Sequence, residues 1–285
     1  MRVLIIGGTG LTGTAMTAHL AAQGHEIFLL SRGLTAVDDG GQARRLTADR
    51  GDAASFERAY AEAGPDAVID QISLRGEDVD QVAAFRPARH LVCSSAAVLG
   101  SGLGLDEDAP VPAPANPYLS GKLAVEQRAS LAGAVILRPA YLYGPGHAPL
   151  TVHGREPGLV QRLRAGEPID VPADGTLALQ PTFAADYATA VGAILAVSRP
   201  APLYHIGGPA TTWRGWLSAL AAAAGVPLRA SSVPPDELAA TSYWFREYLR
   251  HALTIRSARL PPVSFTPLAL GARALVGWMD RRLRT

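Results

Sequence analysis

The segment Gly7-Gly8-Thr9-Gly10-Leu11-Thr12-Gly13 stands between an apolar run, "RVLII", and a stretch of helical composition that opens at Leu11. Gly7, Gly10 and Gly13 therefore give G-x-x-G-x-x-G at a strand-to-helix turn. The first glycine permits a sharp reversal, the second lets backbone approach a pyrophosphate, and the third lets helix and strand pack closely. An anion in that turn meets the positive end of the helix, where unpaired N–H groups point outward. Gly7, Thr9, Gly10, Leu11 and Gly13 are thus the expected dinucleotide cradle, and a second strand about 20 residues on strengthens the reading.

The rest of the first half fits this start. Short β-branched or leucine-rich runs near 2–6, 25–30, 44–47, 66–70, 89–94 and 133–138 alternate with helical stretches at Leu11–Gln23, Ala53–Ala63, Glu77–Phe85 and Tyr118–Leu131. Parallel strands need crossovers of this length, and the handedness rule winds them into a doubly wound parallel sheet, an α/β Rossmann domain. Past residue 140 the loops become rich in proline and glycine, as in "YLYGPGHAPL" and "AGEPIDVPADG". The expected organisation is a dinucleotide-binding domain at 1–140, with 182–206 returning to it, and a smaller C-terminal substrate lobe at 141–181 and 207–285. Trp213, Trp216, Tyr243, Trp244, Phe245 and Tyr248 are expected mostly as packing within that lobe.

"FLLSRG" at the end of the second strand puts Ser31 and Arg32 where such folds face the adenosine ribose. A carboxylate there would bond the 2′-hydroxyl of NAD and repel the 2′-phosphate of NADP. A hydroxyl and a forked cation reverse the preference, so the expected cofactor is NADP(H). In "NPYLSGKLAVE", Tyr118 and Lys122 share one helix face, and an ammonium near the phenol is expected to lower its pKa. "CSSAAVLG" closes the fifth strand and brings hydroxyls to the carboxyl edge of the sheet, where open α/β folds bind ligands.

With these motifs and with "LRPAYLYGPG" and "PTFAADYATAV" further on, the chain resembles the extended short-chain dehydrogenase/reductases, in the epimerase/dehydratase branch. The resemblance implies that Ser95 holds the substrate oxygen and Tyr118 is the general acid/base. It implies that Lys122 binds the nicotinamide ribose and supports the tyrosine, that Pro139 lies by the nicotinamide, and that Asp49 lies near the adenine. Leu99 departs from the tyrosine often found there and is expected to widen or dry the site. "DQISLRG" replaces the histidine or alanine-rich turn of many members, and no residue clearly completes the tetrad with an asparagine. The short path from Asp70 to Leu91 leaves little room for the helix of the usual dimer interface, so a monomer or weak dimer is expected.

Three functions follow as expectations. The first is an NADPH-dependent ketoreductase acting on a small apolar or aromatic ketone, similar to compact members of the branch that reduce aromatic polyketides in antibiotic pathways. The second is a nucleotide-sugar epimerase or dehydratase, with Arg155, Arg162, Arg164 and Arg214 as candidate diphosphate readers. The third is a non-catalytic dinucleotide or RNA binder, since "GGTG", "SRG" and "DRGD" are similar to chloroplast stem-loop RNA-binding relatives.

Composition bears on these choices. With 26 basic and 25 acidic residues, the net charge of +1 gives no broad footprint for nucleic acid or an anionic membrane. A single cysteine, Cys93, excludes an internal disulfide, and the seven histidines lack metal-binding spacing, so no metal is expected. No secretory signal or spanning segment is visible, and a cytoplasmic protein is expected, with its arginine-rich tail as a helix packed on the body. Asp106, Glu107 and Asp108 read as a solvated acidic loop.

Overall fold

The computed structural model describes residues 1–34, 40–241 and 251–282; Tyr243, Trp244, Phe245 and Tyr248 lie outside the described residues. Apolar runs in the first half form β1 (Arg2–Ile6), β2 (Glu26–Ser31), β3 (Ala43–Thr47), β4 (Ala67–Asp70) and β5 (Arg89–Cys93). Two further strands, Val135–Pro139 and Leu203–Ile206, complete a seven-stranded sheet. Its order is Leu203–Ile206, Val135–Pro139, β5, β4, β1, β2, β3, with every neighbouring pair parallel. The strand order reverses between β1 and β4, which opens a crevice at the carboxyl edge.

Because successive side chains in a strand point to opposite faces, each strand feeds two cores. Val3, Ile5, Leu29, Ile69 and Leu137 pack toward α1 (Leu11–Ala22) and the helix Ala184–Ala196. Leu4, Ile6, Phe28 and Val68 pack with Phe56 and Tyr60 of α2 (Ala53–Ala63). Val92 and Ile136 meet Val79 of α3 (Gly76–Ala83) and Val125 of α4 (Pro117–Leu131). Local chemistry sets the helix ends. Asp52 caps α2 by accepting from Ser55 N at 3.1 Å, and Gly64 ends that helix in the left-handed region at φ +47°. Asn116 accepts from Leu119 N at 3.0 Å and Pro117 takes the first turn of α4, where its missing N–H costs nothing. On the short path from Asp70 to Leu91, α3 has eight residues.

A separate core gathers Tyr143, Val171, Trp213, Trp216, Leu275 and Met279, with the helices Trp213–Ala223 and Leu268–Arg282 packed together. Trp213 and Trp216 are fully buried, and the arginine-ended tail is a helix docked on the body. Among the described residues, no helix is long and apolar enough to cross a membrane.

The acidic loop departs from its expectation. Glu107 is buried and accepts from the backbone N–H groups of His205 (3.0 Å), Ala258 (3.1 Å) and Arg259 (3.4 Å). Asp106 pairs with Arg256 at 2.5 Å and Asp108 with Arg259. The three acids are therefore a clasp for the chain after residue 251, which pairs through Leu253–Ile255 with the strand Gly102–Leu105.

Candidate functional site

The glycine turn is built as its spacing requires. Gly7 lies at φ +81° and its N–H donates to Leu30 O at 3.0 Å, closing the reversal after β1. A Cβ on Gly13 would stand 2.3 Å from the backbone of Gly8, so helix and turn meet at a distance only glycine permits. Gly10 differs: the nearest atom to a Cβ there is Gly7 O at 4.0 Å, leaving open space beside the amino end of α1. Thr9 is half-buried on the turn and Leu11 is buried at the helix start. Beside this cradle, Gln71 Nε2 and Ser73 Oγ are buried without a hydrogen-bond partner among the described residues. Open backbone, a helix amino end and orphaned polar atoms at one sheet edge fit a bound dinucleotide.

Ser31 and Arg32 end β2. The serine hydroxyl accepts from Gly33 N at 3.3 Å, while Arg32 is exposed. Asp49 follows β3 and is exposed; its carboxylate accepts from Gly51 N at 2.8 Å. Pro139 is buried at the end of its strand. These residues and the glycine turn all occupy the carboxyl edge.

Ser95, Tyr118 and Lys122 converge at the same edge. Ser95 follows β5, caps a short helical turn by accepting from Ala97 N at 3.2 Å, and hydrogen-bonds the Tyr118 phenol. Lys122, one turn after Tyr118, is buried with its Nζ 5.9 Å from the Tyr118 ring centre. Its ammonium donates to Ser73 O at 2.9 Å and Cys93 O at 2.8 Å. The expected lowering of the tyrosine pKa is reversed here: burial raises it, and the Ser95 hydrogen bond only partly offsets the rise. With its pKa held above the ordinary value of 10.0, the phenol keeps its proton at neutral pH.

Ser95 and Tyr118 open onto a cavity of about 770 Å³ whose other walls are mainly apolar, including Val98, Leu99, Val111 and Trp213. Leu99 is a buried wall residue, which makes that side of the site dry. Asn116, Ser101 and His251 supply further polar groups. Burial pushes the Tyr141 phenol in the same wall up to about 12, against the neighbouring Arg155 cation.

None of the four arginines considered as diphosphate readers lines this cavity. Arg162 pairs with Glu156 (2.6 Å) and Glu167 (2.8 Å), Arg164 is bidentate to Asp280, and Arg214 donates to Asp174 O. Arg155 donates to Ala148 O and Leu142 O. Sequence reasoning missed the groups behind the site: the Ser73 and Cys93 carbonyls, Gln71, and the buried trio Ser94, Glu126 and Arg138. The recurrence of Glu126 one turn after Lys122 was the available signal for the trio.

Residues 3–85 and 78–207 match the model of the NAD dependent epimerase/dehydratase family. A curated relative, the chloroplast stem-loop binding protein of 41 kDa b from Arabidopsis thaliana, is 29% identical over 79% of this chain; the match spans 64% of that protein's length. The 3-diazoavenalumate denitrifying reductase of a Streptomyces species is 28% identical over 100% of this chain and 90% of its own. Among solved structures, a Burkholderia cenocepacia putative epimerase shares the fold with a TM-score of 0.78, at 23% identity over 98% of each chain. The UDP-glucose 4-epimerase of Bifidobacterium longum, in complex with NAD+ and UDP, does so with a TM-score of 0.79, at 18% identity over 99% of this chain and 98% of that one.

Proposed function

The chain belongs to the NAD-dependent epimerase/dehydratase family, and we propose that within it this protein is an NADP(H)-dependent reductase of a carbonyl on a small apolar or aromatic substrate. The observation that carries this reading is the cavity at Ser95 and Tyr118: it has mainly apolar walls, and no arginine or lysine lines it among the described residues. A sugar nucleotide needs cations for its diphosphate, whereas a flat apolar molecule needs a dry wall with a few polar groups at the reacting end. The Streptomyces relative that matches the whole chain is named a reductase of a diazo compound, which supports a reduction in general and leaves the carbonyl to the cavity.

When bound, the reduced nicotinamide supplies the hydride. Gly7, Gly10 and the amino end of α1 would hold the pyrophosphate, Arg32 and Ser31 the 2′-phosphate, Asp49 the adenine side, and Lys122 with Pro139 the nicotinamide half. Ser95 orients the substrate carbonyl and polarises it. As the C=O electron pair moves onto oxygen, Tyr118 Oη gives that oxygen its proton. A phenol whose pKa is raised by burial holds that proton in readiness at neutral pH. Monomer or weak dimer is the assembly this reading carries, with a small-molecule substrate and no nucleic-acid partner.

The test is a tryptophan-fluorescence titration with NADPH and NADH, followed by a screen of aromatic ketones for NADPH oxidation. Arg32→Asp is expected to move the NADPH-to-NADH affinity ratio by roughly tenfold to a hundredfold toward NADH. An unchanged ratio removes the NADP(H) assignment. The solved relative bound to NAD+ and UDP favours a second reading, a nucleotide-sugar epimerase. Tightly retained NAD, with UDP-sugars raising the melting temperature, would select it.

A further inference from the structure

Behind the reacting groups lies a buried carboxylate that the proposed mechanism does not use. Glu126 Oε1 accepts from Ser94 Oγ at 2.6 Å and from Arg138 Nε at 2.8 Å, and Oε2 accepts from Arg138 Nη2 at 2.6 Å. All three residues are over nine-tenths buried. Each is one step from a group at the site: Ser94 precedes Ser95, Arg138 precedes Pro139, and Glu126 follows Lys122 by one turn of α4. Arg138 Nη1 also approaches His205 Nε2 at 3.5 Å, and His205 Nδ1 lies 3.2 Å from Leu105 O. Burial and the Arg138 charge both keep His205 neutral. With the Nδ1 proton given to Leu105 O, Nε2 is the acceptor for Arg138.

A buried ion pair is weak evidence for stability, because an apolar pair of similar volume often serves as well. What apolar side chains cannot do is fix orientation. The bidentate Glu126–Arg138 pair sets two planes against each other, and the Ser94 hydroxyl adds a third element to the same carboxylate. We propose that Glu126 is a positioning residue, whose single carboxylate holds the strand end carrying Ser95, the helix carrying Tyr118 and Lys122, and the strand end carrying Pro139 in one mutual register. The role in turnover rests on the reductase reading; the structural part does not. A misplacement of about 1 Å at reacting groups costs on the order of a hundredfold in rate, so loss of this register acts on kcat rather than on substrate affinity.

The decisive experiment replaces the pair by apolar residues, Glu126→Leu with Arg138→Met, in the full chain. Three readouts are taken: NADPH affinity, steady-state NADPH oxidation with the best aromatic ketone, and the Tyr118 ring-carbon shift at neutral pH in carbon-13 tyrosine-labelled protein. That signal is assigned by its loss in Tyr118→Phe and reports the Ser95 hydrogen bond. The expected result is a folded protein with a changed Tyr118 shift, kcat lowered at least about tenfold and KM nearly unchanged. A folded double variant with the parent's kcat and Tyr118 shift would overturn the proposal. Should the double variant not fold, Ser94→Ala removes one donor and leaves the ion pair; the same changes in smaller degree are expected, and their absence is equally fatal. If the parent reduces no carbonyl, the reductase reading fails, and the Tyr118 shift alone then decides the role of Glu126.

Discussion

Gly13 and Gly8 are packed so closely that a methyl group on Gly13 would stand 2.3 Å from the Gly8 backbone, a contact no side chain can make. Gly13→Ala must therefore push α1 away from the turn after β1, in a region where Leu11 and Met16 are already buried. Overpacking of this kind costs roughly 1–3 kcal/mol, and both the urea midpoint and dinucleotide affinity are expected to fall. Gly10→Ala separates the two effects, because the space beside Gly10 is open and its φ of −89° suits alanine. That variant is expected to lose roughly 1 kcal/mol or less, as a helix cap, yet bind NADPH far more weakly. Equal affinity in Gly10→Ala and the parent would show that no ligand approaches there.

Tyr118 gives a prediction with two independent signs. Burial raises its pKa above the unfolded value of 10.0, so the folded state disfavours the phenolate. Its contribution to stability is intact below pH 10 and is lost as pH rises through 10 toward the folded value. Tyr118→Phe is expected to soften the alkaline loss of stability, measured by melting between pH 8 and 11, while NADPH affinity stays near the parent's. Carbonyl reduction should fall by about 10²–10⁴ if the phenol is the proton donor. Near-full activity in Tyr118→Phe would instead mean that the substrate supplies its own proton.

Glu107 tests the clasp. Its carboxylate is the acceptor for three backbone N–H groups, two of them in the segment after residue 251. Glu107→Ala leaves those donors without a partner in a buried place, and hydrogen bonds to a charged group are worth about 1.5–3 kcal/mol each. A loss of roughly 3 kcal/mol is expected, with faster hydrogen exchange at the amides of Ala258 and Arg259. Glu107→Gln, which keeps one acceptor oxygen, should lie between. Unchanged exchange at both amides would mean that the loop is solvated after all.

The sheet was legible in the chain because its information is local: apolar runs of strand length, helical crossovers between them, and a glycine turn at the first. The Tyr118–Lys122 spacing was legible for the same reason, while Ser95 was picked out of its strand end by the family resemblance. Partners of the site were not. Lys122 is held by the carbonyls of Ser73 and Cys93, and a backbone oxygen has no letter in the sequence. The direction of the Tyr118 pKa was misjudged because spacing reveals the neighbouring ammonium but not the burial that outweighs it. Glu107 was hidden by distance along the chain: its partners lie 98, 151 and 152 residues away. The arginines resisted assignment for a related reason, since a free cation and one already paired, as Arg164 is with Asp280, look alike in sequence.

Burial of His90 is expected to make the Rossmann core sensitive to acid. This histidine lies buried on β5 beside Val68, and its Nε2 has no partner among the described residues. Burial lowers its pKa from 6.5 to about 4; the Asp70 carboxylate opposes this and the Arg50 cation adds to it. Between those two values the unfolded chain takes up a proton that the folded chain refuses, so stability is complete above pH 6.5 and declines as pH falls toward 4. At roughly 1.4 kcal/mol per unit, the loss reaches about 3 kcal/mol near pH 4. His90→Leu removes the titrating group at similar bulk, and its unfolding free energy, measured in urea from pH 8 to 4, should fall less steeply than the parent's. The two curves are expected to converge or cross as the pH drops. Parallel curves would transfer the acid sensitivity to other groups, with His205, also held neutral by burial, the next to replace.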